Sequence, residues 1–271
     1  MTRDTLYVDP PQISAAFLFD QLDEPQALGR LCDVASASGA AATGECEIVR
    51  GDGFPVFDAI SDLAPTLESA RYDLRAAAGR AEWQRLVEGG LPEAHLLRAG
   101  FEVPRVGTAV VELQPGAARV RGPGQHPAAV TVSGDLLGMP PSVSLSKAER
   151  RQAEVTAVWI AALFRRANEA LDPLYGGVLI EAYLPPPATL AAGEGRIGPE
   201  VYVSDRLEAG APGTQSALAA LYAQGSVSRL ATGQLYSGWG ALNPDGRSVP
   251  QPLAVASKAA AILGGALAAL G

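Results

Sequence analysis

Ser146-Lys-Ala-Glu149 begins the one segment of this chain whose local structure its residues dictate from end to end. A serine hydroxyl and a glutamate carboxylate three positions apart can each take up the other's free backbone amide. A helix therefore starts at Lys147. Val155, Val158, Trp159, Ala162, Leu163 and Ala170 recur at helical spacing and predict its core face. Pro173 ends it near Leu171.

This helix divides the chain. Beyond it, Gly176–Leu184 and Glu200–Leu207 read as strands, Gln215–Ala223 as a short helix and residues 233–240 as a last strand. Ahead of it, Ser14–Gln21 reads as a strand, and Pro25 suits the first turn of a helix over Glu24–Ala37. A strand is expected at Cys46–Arg50. A long helix is expected from Ser61 to Val87, started near Asp62 by Pro65, with strands at Thr108–Leu113, Ala117–Arg121 and Ala128–Ser133. The expected class is α+β: a mixed or largely antiparallel sheet packed against helices, arranged as two similar α+β halves. The halves are residues 1–141 and 142–271, and they can also merge into one continuous domain.

Composition narrows the function by exclusion. The chain has 271 residues, a net charge of −8 and a pI near 4.9. Such a surface repels nucleic-acid phosphates and anionic lipid. The adjacent arginine pairs, Arg150-Arg151 and Arg165-Arg166, lie in the capped helix among Glu149, Glu154 and Glu169. No nucleic-acid or membrane partner is expected, and a basic protein is the easier partner. The amino terminus lacks the cationic start and apolar run of a secretory signal, so the expected compartment is the cytoplasm. The carboxyl end is Ala-rich. Its run from Ala259 to Leu270 would be roughly 18 Å long as a helix, short of about 30 Å of hydrocarbon. A packed or homo-oligomer-forming helix is expected there, weakened by Gly264-Gly265.

Only two histidines and two cysteines are present. His95 and His126 stand in no metal spacing, His126 among loop-forming residues, and Cys32 and Cys46 form no CxxC. No metal and no cofactor is expected. Ser144-Leu-Ser-Lys147 matches a serine–lysine nucleophile pattern, but its companion motifs are absent and Ser146 is better used as a cap. The glycine loops match neither dinucleotide nor phosphate-loop patterns.

Carboxylates and aromatics remain. Glu181, Asp205 and Arg206, with Tyr202, are the candidate catalytic groups, drawn from two neighbouring strands. By strand alternation Glu181 shares a side with Leu179 and Tyr183, so it is semi-buried if they face the core and a plain surface charge if they face solvent. Five of seven tyrosines follow Ser146. Tyr183, Tyr202, Tyr236 and Trp239 are the candidate binding residues, since tyrosine and tryptophan favour interfaces. The expected function is non-catalytic protein binding or inhibition of an immunity-like kind. The alternatives are a carboxylate-dependent hydrolase or transferase, and a structural subunit contacting its neighbours through the alanine-rich tail.

Overall fold

The computed structural model describes residues 5–50, 68–88, 94–113, 126–134, 137, 145–242 and 248–270. In chain order the elements are β1 (Gln12–Phe19), α1 (Glu24–Ala37), β2 (Ala41–Arg50), β3 (Glu68–Asp73), α2 (Ala77–Glu88), β4 (Ala94–Val103), β5 (Gly107–Leu113), β6 (His126–Ser133), α3 (Lys147–Leu171), β7 (Tyr175–Ile180), α4 (Pro187–Ala191), β8 (Glu200–Ser204), α5 (Asp205–Gly210), α6 (Thr214–Leu221), β9 (Ser226–Arg229), β10 (Gly233–Ser237) and α7 (Pro252–Leu270). The ten strands form one sheet in the order β3-β2-β4-β5-β6-β1-β7-β8-β10-β9. Its pairings are antiparallel. The α+β class is what the sequence predicts.

β1 joins the two halves. It pairs with β6 on one side, Ala15 opposite Val130, and with β7 on the other, Ala15 opposite Val178. Its alternation also feeds both cores. Ile13, Ala15, Phe17 and Phe19 point to the face covered by α1 and α3, while Ala16 and Leu18 point to the face covered by α4–α7.

The capping box at α3 forms as expected, Ser146 N donating to Glu149 Oε2 at 2.6 Å and Glu149 N to Ser146 Oγ at 3.3 Å. The buried stripe, however, is rotated from the predicted one. Ala157, Ile160, Leu163, Phe164, Ala167 and Leu171 are buried, whereas Val158 is 70% exposed. The tertiary reason is α1: Trp159 Nε1 donates to Ser38 O at 2.9 Å, and Arg166 donates to Ala37 O beside it. These contacts turn α3 so that its flank caps the carboxyl end of α1, where carbonyls lack helical partners. Gly176 lets the helix sit low, since a Cβ there would meet the Phe164 and Phe17 rings at 3.3 Å. α1 itself spans the predicted residues, capped by Asp23, which accepts from Gln26 N at 2.8 Å.

Several boundaries differ from expectation. Within the expected Ser61–Val87 helix, residues 61–67 lie outside the described residues, and Glu68–Asp73 is an outer strand held by pairing to β2, Ile48 opposite Ala70. The helix begins only at Ala77. Pairing to a distant strand overrides the helical spacing of Ala70 and Leu74. β4, α4 and β9 are additional. The Glu200–Leu207 strand stops at Ser204, whose hydroxyl accepts from Leu207 N at 3.2 Å and starts α5. His126 stands at the start of β6, not in a loop. The expected strand Ala117–Arg121 and Ser144 lie outside the described residues. α7 runs unbroken through Gly264-Gly265 because Gly264 lies against α4: a Cβ there would sit 2.0 Å from Leu190 O. α7 is long and apolar enough to cross a membrane. Its Val255, Ala259, Leu263 and Leu267 are buried in the core shared with α4, α5 and α6.

Candidate functional site

The candidate catalytic groups do not converge. β7 and β8 run antiparallel with Val178 opposite Glu200 and Tyr175 opposite Val203. Glu181 follows one end of this ladder and Asp205 the other, so roughly 25 Å of strand separates them at the rise of extended chain. Carboxyl pairs that share one glycosidic bond stand less than about 10 Å apart. Glu181 is exposed, with φ at 49°, which breaks the alternation assumed for it. Its backbone amide donates to Gln12 O at 2.9 Å, and its carboxylate accepts from Gln12 N. Leu179 is buried without placing Glu181 in the core.

Asp205 and Arg206 are neighbours in sequence but serve separate clusters. Asp205 takes both arms of the Arg229 guanidinium, at 2.6 and 2.5 Å, and accepts from Gln215 Nε2 at 3.0 Å. The Arg229 hydrogen bonds hold its carboxyl below the usual carboxylate range. Arg206 bridges Asp20, at 2.7 Å, and the Asp172 carboxylate, and also donates to Asp172 O at 2.9 Å. Tyr202 joins this second cluster through Thr232 Oγ1 at 2.7 Å and Asp172 Oδ1 at 3.4 Å. Asp172 is the left-handed C-cap of α3. The cluster thus ties the end of α3 to β1, β8 and α5.

The candidate binding aromatics are equally dispersed. Tyr202 and Tyr236 are fully buried on opposite faces of the sheet. Tyr236 donates to Gln215 O at 3.0 Å and stacks, tilted, on Tyr222 at 5.6 Å between ring centroids. Burial pushes the Tyr202 phenol up to about 12. Tyr183 is half-buried beside Glu112, on the face away from α1. Trp239 is half-buried against the α3 side.

Two buried polar features were not singled out by sequence. The first is an ion network on the face opposite α1. Arg98 on β4 lies 3.5 Å from Glu47 Oε2 on β2 and 3.3 Å from Glu112 Oε1 on β5. The Tyr7 ring covers its guanidinium at 4.8 Å, a cation–π contact. Burial raises the pKa of Glu112 against the opposing pull of Arg98. The alternation Leu97, Ala99, Phe101, Val103 inward with Arg98 between was a readable strand signal.

The second is a cavity of about 350 Å³ between α3 and the β7–β8–β10 part of the sheet. Ala157, Ala161, Phe164, Val178, Leu235 and Leu242 supply its apolar wall, with Arg165 and the exposed Val158 on the α3 side. Glu200 and Ser237 supply polar groups. Glu200 is 3% exposed. Its Oε1 accepts from Gly238 N at 3.0 Å and Trp239 N at 2.8 Å, so the carboxyl also fixes the chain leaving β10. Burial pushes its pKa up to about 7, against the opposing effect of hydrogen bonds from Ser237, Trp239 and Gly238. Such a perturbed acid in a cavity of this size is a candidate site on physical grounds. No motif announces Glu200; it is simply the first residue of a strand after Pro199.

Among the described residues, no group of three His, Cys, Asp or Glu side chains could hold a metal ion. Burial pushes both free thiols, Cys32 and Cys46, up to about 12, far from a reactive thiolate.

No family model matches this chain, and no curated protein matches it. Among solved structures, one described as Pseudomonas aeruginosa T6SS protein PA0821 aligns with TM-score 0.44 and 12% identity, covering 93% of this chain and 72% of its own. A likeness at this level carries no function across.

Proposed function

We propose that this chain is a cytoplasmic protein that acts by binding another protein, a basic one, as an inhibitor or immunity-like partner, rather than by turning over a substrate. The observation that supports this reading most is the internal use of the candidate catalytic groups. Asp205 is neutralised by Arg229, Arg206 by Asp20 and Asp172, and Glu181 stands at the far end of the strand pair. A hydrolase built on these three would need them free and together. The net charge of −8 then favours encounter with a basic surface, an effect that acts on association rate and fades as salt screens it.

The test is affinity capture of the full chain from its native cell. The expected result is one co-purifying basic protein at equal stoichiometry, its association with this chain slowing as ionic strength rises. Absence of any stoichiometric protein partner would overturn the reading.

A further inference from the structure

Glu200 is a buried acid whose immediate donors are neutral. The groups that bear on its proton are the backbone amides of Gly238 and Trp239 and the Ser237 hydroxyl, with no cation among them. Of the ionisable groups turned toward it, Arg165 lines the cavity from α3, and Tyr222 lies behind it at the α6 end. A buried carboxylate without a cationic partner is costly, and its protonated form is the cheaper one. Yet this carboxyl faces space for a molecule, inside the size range of small-ligand sites.

The walls and the floor select different halves of such a molecule. Ala157, Ala161, Leu235 and Leu242 reward hydrocarbon and reject phosphates and sugars. Wherever Glu200 is ionised the floor rejects a carboxylate, since two like charges buried together cannot both ionise. A neutral hydrocarbon would fill the space and leave the Glu200 carboxyl in its protonated form. A cation would supply the missing partner, and Arg165 at the side disfavours a second positive charge on the same ligand.

We propose that the cavity between α3 and the β7–β8–β10 face binds a small apolar monoamine, its ammonium on the Glu200 carboxylate and its hydrocarbon body against Ala157, Ala161, Leu235 and Leu242. Binding to the protonated carboxyl transfers that proton to solvent, leaving a carboxylate–ammonium pair. No step of this argument uses the partner reading, so the site stands or falls independently of it.

The test is calorimetric titration of the full chain with hexylamine, and with 1-hexanol as the neutral control, about one pH unit below the Glu200 midpoint and in two buffers of different protonation heat. Saturable binding of the amine at one site, with proton release and with hexanol at least about tenfold weaker, is expected for a charge-assisted contact. Glu200→Gln should abolish the proton release and weaken the amine to the level of hexanol. Ala161→Phe fills the cavity from α3 without touching the carboxyl, and should abolish binding with thermal unfolding still cooperative. Equal binding of amine and alcohol, no saturable heat, or undiminished amine binding by Ala161→Phe would overturn the proposal, the last of these even if Glu200→Gln does not fold.

Discussion

The two faces of the sheet treat a buried carboxylate in opposite ways. On the face away from α1, Glu47 and Glu112 close on Arg98, and the Tyr7 ring covers the guanidinium. On the α3 face, Glu200 meets only neutral donors and an open cavity. The first arrangement sets a guanidinium beside each carboxylate, Arg71 also reaching Glu47 at 3.3 Å, and belongs to the fold. Among the described residues no cation hydrogen-bonds to the second, and a buried acid perturbed in this way beside a cavity is a candidate functional group. Burial alone does not distinguish them, because Glu47 and Glu200 are almost equally inaccessible. The identity of the neighbours does.

The largest effect should come from breaking the first unit. Arg98→Met keeps the volume but leaves the buried Glu112 without its cation and Glu47 with only the half-exposed Arg71. It is expected to cost about 3–5 kcal/mol in urea unfolding. A loss of less than about 1 kcal/mol would mean that the network behaves as a solvent-screened surface pair.

Glu200→Gln should act in the opposite sense above neutrality. The folded pKa of about 7 lies above the ordinary carboxylate value of 4.5. Below the lower value both states hold the proton and no penalty exists. As pH rises toward the upper value the unfolded chain gives up its proton first, so folding stability falls, by roughly 3 kcal/mol once the shift is complete. The variant keeps an acceptor for Gly238 and Trp239 and should lack this decline. Parallel pH profiles for the two proteins would contradict the difference drawn between the faces.

Ser146→Ala loosens the first turn of α3 without touching Arg98. A cap of this kind contributes about 1 kcal/mol. Hydrogen exchange should quicken in the first turn of α3 and remain unchanged in β4. Asp205→Asn should have the smallest effect, because its pair with Arg229 is largely exposed. An effect on unfolding comparable to that of Arg98→Met would show that exposure had misjudged it.

The contrast also explains what was legible in the sequence. α1 and α3 are written locally, by Asp23 with Pro25 and by Ser146 with Glu149, and both appear with the predicted bounds. The direction of the α3 stripe is not local: Trp159 and Arg166 turn it toward the end of α1, across more than a hundred residues of chain. β3 is likewise a matter of partner, since Glu68–Asp73 has little strand character until β2 is beside it. The candidate site was sought among charges near aromatics in the second half. Asp205 and Tyr202 are there, but their hydrogen-bond partners Arg229 and Thr232 lie in a stretch around β9 that carried no strand signal. Glu200 escaped notice because what singles it out is the absence of a neighbour, which sequence does not record.

The central claim is that burial, with no cation beside its carboxyl among the described residues, keeps Glu200 protonated close to neutral pH. The direct measurement is a pH titration of the carboxyl infrared band in the full chain, with the Glu200→Gln spectrum subtracted at each point. A midpoint near 7 is the result predicted. A midpoint at the ordinary carboxylate value of 4.5 would contradict it.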